Sequence, residues 1–269
     1  MIKTIYTLPF LLFFCLLSCK EVVELPPEEI ISKVDDFQVC STPGCALGSV
    51  YFLGNQQYLS GGVSTTTHFN ITDWSLDINL LNDYGYDRET IEALIDAPYG
   101  LASEIPGEYK DEEPVIVLQG KDRVKVYPYI LMKYHEVIND VVDGEPVMIA
   151  YCFLADLAAV YSRTYCDKEF TFAVSGYTYG DEHIWDGKQG FVLWDRDTES
   201  LWWPLIDRGV SGVMKNTRLT KHTASAWSLS TWGEIKTDYP KALVLKSDPN
   251  WNPPLDFSQY ACDDLSCCN

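Results

Sequence analysis

The densest stretch of chemistry-bearing residues is His135-Glu136-Val137-Ile138-Asn139-Asp140. A histidine, two acids and an amide alternate there with apolar neighbours. In such a setting His135 can serve as a general base or a metal ligand, with Glu136 or Asp140 orienting its ring and Asn139 in support. The competing reading makes His135 a satisfied core residue and Asn139-Asp140 the turn before the next strand. Cys152 follows the apolar run Val147-Met148-Ile149-Ala150-Tyr151. As a nucleophile it needs a base such as His135 and a depressed thiol pKa; as a buried inert thiol it needs neither. A catalytic set would then be His135, Cys152 and Glu136. A mononuclear centre made of His135, Cys152 and one of His183 or His222 would suit copper or zinc by ligand softness. Against it, no pair of these residues has HxxxH or CxxC spacing. HEVIND is not the helical zinc-protease motif either, because position 139 is Asn.

Two further patterns carry two readings each. Asp195, Asp197 and Glu199 alternate with Arg196 and Thr198. Paired carboxylates suit glycoside hydrolysis, and an acidic loop suits calcium, although the Gly and distal Glu of an EF-hand are missing. A solvated hairpin turn accounts for the same residues. Trp185, Trp194, Trp202, Trp203, Trp227 and Trp232 offer either a sugar-stacking platform or core packing. No GxGxxG, GxxxxGK(S/T) or GxSxG motif occurs, so nucleotide-binding and α/β-hydrolase readings lack support.

The elements that must position these residues are mostly strands. Val115–Leu118 and Val124–Tyr127 flank the turn Gly120-Lys121-Asp122, and the turn Asp143-Gly144 leads into a strand over 146–152. Further strands are expected at 157–163, 169–175, 190–195 and 200–203, and a last one from Val244. Residues 46–85, rich in Gly, Ser, Thr and Asn, predict short strands and loops. Asp87–Asp96 places Ile91, Leu94 and Ile95 on one helical face with Asp87 as the N-cap, which predicts a short helix. Thr231-Trp232-Gly233-Glu234 is a capping-box pattern opening a second short helix that stops before Pro240. The expected fold class is mainly β (β-rich α+β): one compact domain of antiparallel strands with a few short helices over 46–250.

The ends point to a cellular address. Lys3 precedes the apolar run Leu8–Leu17, which is too short to span a bilayer and has the length of a signal-peptide core. The run ends Leu16-Leu17-Ser18-Cys19, which resembles a bacterial lipoprotein box with Cys19 as the lipidation site and residues 1–18 as the removed signal. Lys20-Glu21 and Glu24 after the cysteine resemble a Bacteroidetes surface-export signal, and residues 19–45 read as an acidic tether. Beyond Cys15 and Cys19, Cys40, Cys45, Cys262, Cys267 and Cys268 cluster near the ends. Structural disulfides are the expectation for such clusters outside the cytoplasm, including in the tail 251–269; a thiolate metal site is the alternative. Cys166 lies in the body of the domain. The 269 residues carry a formal charge of −19, which repels phosphate backbones and argues against nucleic-acid partners. The expected partners are a membrane, through the anchor, and an envelope protein or a glycan.

Residues 91–245 resemble the DUF3179 family, a bacterial domain of undefined function. The blocks are Ile91–Asp96, Tyr127-Pro128, His135–Asp140, Tyr151-Cys152, Val174-Ser175-Gly176, Asp195–Trp202 and Thr231–Glu234. The resemblance implies a Tyr-Cys-Pro-Leu-Cys block where this chain reads Tyr151-Cys152-Phe153-Leu154-Ala155. One cysteine of the pair is therefore missing, and a lone thiol can neither shuttle two electrons nor chelate a metal by itself. The resemblance also implies a Gln near Pro204, and Tyr177–Lys188 looks like an insertion. The chain thus reads as a lipid-anchored, non-catalytic binding or envelope-associated member with a degenerate CxxC site, or alternatively as a metal or redox protein built on His135 and Cys152.

Overall fold

The computed structural model describes residues 34–35, 49–61, 67–83, 86–165, 167–185 and 188–248. Cys19 and the terminal cysteine clusters lie outside these residues, as does Cys166; of the stretch 19–45, expected as a tether, only Val34–Asp35 is described, and it forms a strand. In chain order the strands are β1 (Val34–Asp35), β2 (Ser49–Leu53), β3 (Gln56–Gly61), β4 (Thr67–Asn70), β5 (Leu81–Asp83), β6 (Tyr99–Leu101), β7 (Pro114–Gln119), β8 (Val124–Pro128), β9 (Val137–Val142), β10 (Glu145–Cys152), β11 (Leu157–Ser162), β12 (Thr164–Tyr165), β13 (Lys168–Glu169), β14 (Phe172–Tyr179), β15 (Gly190–Asp195), β16 (Leu201–Trp203), β17 (Arg208–Gly209), β18 (Ala226–Thr231) and β19 (Leu243–Leu245). The helices are α1 (Tyr129–His135), α2 (Glu182–Trp185) and α3 (Trp232–Asp238). The fold class is mainly β, as the sequence predicts. No helix among the described residues is long and apolar enough to cross a membrane.

Three sheets make the body. One has the order β17-β16-β15-β14-β5, a second β11-β10-β9, and a third β18-β7-β8-β19-β6. All their pairings are antiparallel except β8 with β19. An N-terminal meander β1-β2-β3-β4 and the short β12-β13 hairpin complete the strands. The apolar runs that read as strands in the sequence are buried on both faces: the four central residues of β7, Val147–Cys152 of β10 and all of β15 are buried. Continuous apolar stretches of this kind mark strands covered on both sides. The core is aromatic. Trp202, Trp203 and Trp232 are fully buried and Trp194 nearly so, which makes them packing residues and removes them from any surface sugar platform.

Local chemistry explains the helices. Thr231 accepts from the Glu234 N–H, and the Glu234 carboxylate accepts in turn from the Thr231 N–H, so the capping box opens α3 as its sequence predicts. Helix α1 carries no sequence pattern of its own. It follows directly from β8 at Pro128, and the Glu113 carboxylate accepts from the Ile130 N–H in its first turn.

The helix expected at Asp87–Asp96 does not form. Its backbone groups are taken by distant strands: Glu89 N–H donates to Val174, Leu94 N–H to Val137, and the Leu94 carbonyl accepts from Asn139 N–H. Leu94 bridges Ile138 in parallel, and Ile95, expected on the buried face, is exposed. The segment is a strap that opens with a turn at Asp87–Thr90 and bridges β9 at Leu94, and it is not a helix because those tertiary hydrogen bonds replace the i to i−4 ladder. Asn139 and Asp140 likewise form no turn; both lie inside β9, whose turn to β10 comes at Asp143-Gly144. The stretch Tyr177–Lys188 begins inside β14 rather than outside the sheet. The register of β14 against β15 shifts between Val174 and Thr178, around Gly176.

Asn139 joins two of the sheets. Its amide Nδ2 donates to the Phe172 carbonyl at 2.8 Å, and its Oδ1 accepts from the Phe172 N–H at 2.8 Å. The side chain thus stands in for one rung of a β-ladder between β9 and β14. Neighbouring Asp140 takes hydrogen bonds from Lys125, Tyr99 and Tyr127 at 2.7, 2.5 and 2.7 Å. Burial pushes its pKa up, but these donors outweigh it and hold the carboxyl below its ordinary range. Replacing Asn139 by Ala strands the buried Phe172 N–H and carbonyl. The expected cost is about 2–4 kcal/mol in denaturant unfolding, with faster hydrogen exchange at Phe172. A loss below about 0.5 kcal/mol would show that the rung does not hold the sheets.

Candidate functional site

Helix α1 ends at His135, and Glu136 caps it. The Glu136 N–H donates to Met132 O at 2.6 Å, and its carbonyl accepts from Tyr151 N–H at 2.8 Å. Its backbone sits at φ +53°, a conformation costing a non-glycine residue of order 1–3 kcal/mol. With both backbone groups pinned, the Glu136 side chain lines a pocket of about 40 Å³, room for a few heavy atoms. Ile91, Phe153, Leu154, Val174 and Phe191 supply its apolar wall, Tyr86, Asp87, Tyr177 and Thr178 also line it, and Thr90 stands at the exposed rim. Gly176 shapes one side. At φ +88° it lets the strand pass the Tyr86 carbonyl, which an added Cβ would strike.

Glu136 is 4% exposed, and no hydrogen bond or ion pair reaches its carboxylate among the described residues. Burial pushes its pKa up to about 8, so the acid holds its proton at neutral pH. The Cys152 thiol lies close enough to feel it. Burial, then the Glu136 charge, push that thiol up to about 12, against backbone N–H groups of Phe191, Ala155 and Leu154 that favour the thiolate. The Phe191 N–H approaches the sulfur at 3.4 Å. Cys152 is therefore a buried, protonated thiol, the opposite of the depressed pKa a nucleophile requires.

The other residues singled out in the sequence do not converge on this point. Nδ1 of His135 lies 2.7 Å from the Glu92 carbonyl. A carbonyl only accepts, so the proton sits on Nδ1. Burial lowers the His135 pKa more than that carbonyl raises it, which keeps the ring neutral. Cys152 makes no hydrogen bond to His135, so no Cys-His pair forms. His183 stands exposed on α2 beside Glu182, and Nε2 of His222 already accepts from the Ser225 N–H at 3.0 Å. Among the described residues no group of three or more His, Cys, Asp or Glu side chains is placed to hold a metal ion. The set His135, Cys152, His183, His222 is not assembled, because each histidine belongs to a different hydrogen-bonded corner of the fold.

Asp195 is buried rather than solvated. It accepts from Thr198 N–H at 2.6 Å, Thr198 hydroxyl at 2.9 Å and Trp202 Nε1–H at 2.8 Å, which fixes the turn between β15 and β16. Burial raises its pKa to about 6 despite these donors. The flanking charges of this turn reach back to the strap. Arg196 forms a two-point ion pair with Glu89 at 2.7 and 2.6 Å, and Glu199 pairs with Arg88 at 2.7 Å. The Arg88 guanidinium also stacks 4.6 Å from the ring centres of Phe69 and Trp194. The acidic turn thus clamps the segment that forms the pocket rim, a structural task instead of glycosidase or calcium chemistry. The sequence reads Glu136 as a helper of His135, Ile91 as a helix residue and Phe191 as part of a strand; Ile91, Val174 and Gly176 fall in blocks shared with the family, but no local pattern marks them as walls of one pocket.

The family described as "Protein of unknown function (DUF3179)" matches residues 88–261. The chain belongs to the DUF3179 family. No curated protein and no solved structure matches it. The matched span of this DUF3179 chain holds the strap, α1, Glu136, Cys152, β14 and the clamping turn, and leaves the β1–β5 region outside. Ala155, where the resemblance implies a second cysteine, is itself buried, with its N–H directed at the Cys152 sulfur.

Two measurements follow. The folded Glu136 binds its proton more tightly than the unfolded residue, so its favourable contribution is complete below pH 4.5 and is lost as pH rises through about 8. Glu136→Gln should match the wild type in stability at low pH and exceed it by roughly 2–4 kcal/mol above pH 8; a difference that stays flat over this range would contradict the buried acid. Cys152 should resist alkylation in the folded protein at pH 8 and react on unfolding, as peptide mass mapping would show. Rapid labelling of the folded chain would reinstate a reactive thiol.

Proposed function

We propose that this DUF3179 protein is a membrane-anchored, non-catalytic binding protein of the cell envelope, whose site is the small apolar pocket floored by Glu136. The observation that carries the reading is that this pocket ends in a buried acid without a partner, where a redox or metal protein would present a thiolate or a ligand set. The missing cysteine partner at Ala155 and the raised Cys152 pKa support the absence of disulfide chemistry. The lipoprotein-like Leu16–Cys19 segment and the acidic stretch after it support anchoring at a membrane surface.

The test is a thermal-shift screen of small, largely apolar compounds on the purified full chain. Binders should raise the Tm of the wild type, and Thr90→Trp, which places a large ring at the exposed rim, should abolish the shift. No binder, or binders indifferent to Thr90→Trp, would count against the reading. Near-stoichiometric copper or zinc that disappears in His135→Ala or Cys152→Ala would overturn it in favour of a metal centre.

A further inference from the structure

We propose that the ligand of this pocket is a small organic cation, a short alkylammonium whose nitrogen sits against the Glu136 carboxylate while its carbon chain lies along the apolar wall. The inference rests on the pocket being the binding site and goes further by naming what it takes. Glu136 is 4% exposed and lacks a hydrogen-bond or ion-pair partner among the described residues, yet it lines an open space. An ionised carboxylate in such a position lacks the counter-charge that buried charges require. The only other charged residue of the lining is Asp87, also an acid; no Lys, Arg or His takes part. Three cations of neighbouring elements are committed elsewhere: Arg88 to Glu199, Arg196 to Glu89, and Lys125 to Asp140. The formal charge of −19 adds a long-range attraction for cations.

The alternatives fit less well. A metal ion needs three or more protein donors, and among the described residues no group of three or more His, Cys, Asp or Glu side chains is placed to supply them; the lining holds two acids, Glu136 and Asp87. An anion would meet two acids. A neutral amide could accept the Glu136 proton and return one N–H to the same carboxyl, but it brings no charge to match a lining whose charged residues are both acids. About 40 Å³ accommodates three or four heavy atoms, the size of a propylammonium ion.

The pairing has a proton signature. The titratable groups around Glu136 are Asp87, Tyr86 and Tyr177 in the lining and Cys152 behind it. Burial keeps Glu136 protonated in the empty site at pH 7, and an arriving ammonium stabilises the ionised form. The ligand keeps its own proton, and the carboxyl proton leaves to solvent, so binding releases close to one proton per site.

Titration calorimetry of n-propylammonium chloride into the full chain at pH 7, in phosphate and in Tris, tests this. The expected result is binding whose apparent enthalpy differs between the buffers by the heat of one released proton. Affinity should fall at least about tenfold in Glu136→Gln, and propionamide should not compete. Equal affinity in wild type and Glu136→Gln, or no proton release, overturns the proposal and assigns the cation to the acidic surface. Propionamide binding as tightly as the amine overturns the cation but leaves the small-ligand reading standing. If propylammonium fails to bind while screened compounds still give shifts blocked by Thr90→Trp, this inference alone falls. If neither the amine nor any screened compound binds the folded protein, both fall.

Discussion

The Asn139 amide is the contact on which the geometry of the site depends. Strands β9 and β14 belong to different sheets, and the amide supplies both the donor and the acceptor that a neighbouring strand would have offered Phe172. This sets the position of β9 relative to β14, and with it the two walls of the pocket. Glu136 lies just upstream on the β9 side, Val174 and Gly176 just downstream on the β14 side. A single side chain can do this because both its polar ends are matched in a buried site, where an unmatched amide would cost several kcal/mol rather than contribute.

The rest of the site is held by layers of charge around an apolar centre. Outside, the Asp195–Glu199 turn grips the strap through Arg88, Glu89 and Arg196. Such partly exposed pairs are individually weak, but the stacking of Arg88 on Phe69 and Trp194 gives them a fixed geometry. On the opposite side, Asp140 is satisfied three times over by Lys125, Tyr99 and Tyr127. Two acids four positions apart on one segment therefore behave in opposite ways: Asp140 is held ionised by its donors, and Glu136 is driven neutral by their lack. The contrast follows from hydrogen-bond supply, since both carboxyls are largely removed from water.

The parts of this fold that could be read from the sequence are those fixed by neighbours in the chain. The hairpin of β7 and β8, strand β10, the pair β15 and β16, and the capping box of α3 all follow from local patterns, and the structure has them within a residue or two. The strap at 87–96 could not be read, because its apolar spacing satisfies a helical period while its hydrogen bonds go to Val137, Asn139 and Val174, far along the chain. Helix α1 has no legible sequence period because its seven residues after a proline make only about two turns. The residue types of the site were visible, but their roles were not. His135 looked like the reactive group and Glu136 its support. Burial without a partner, which distinguishes Glu136, is a property of the assembled walls, so no local spacing could have revealed it. The same holds for Asp195, whose place in a turn was plain but whose burial under Trp202 was not.

The parallel pairing of β19 with β8 bears on how the molecule can be made. Strand β19 is the last described strand, yet it lies between β8 and β6 in the middle of its sheet. A chain emerging from the ribosome amino end first cannot close this sheet until Leu245 has appeared. Until then β6 and β8 keep open edges, and Tyr109, whose hydroxyl donates to the Leu245 carbonyl, has no anchor. Contacts of such long sequence separation slow folding. The topology therefore defers completion of the domain until its last described strand has been made.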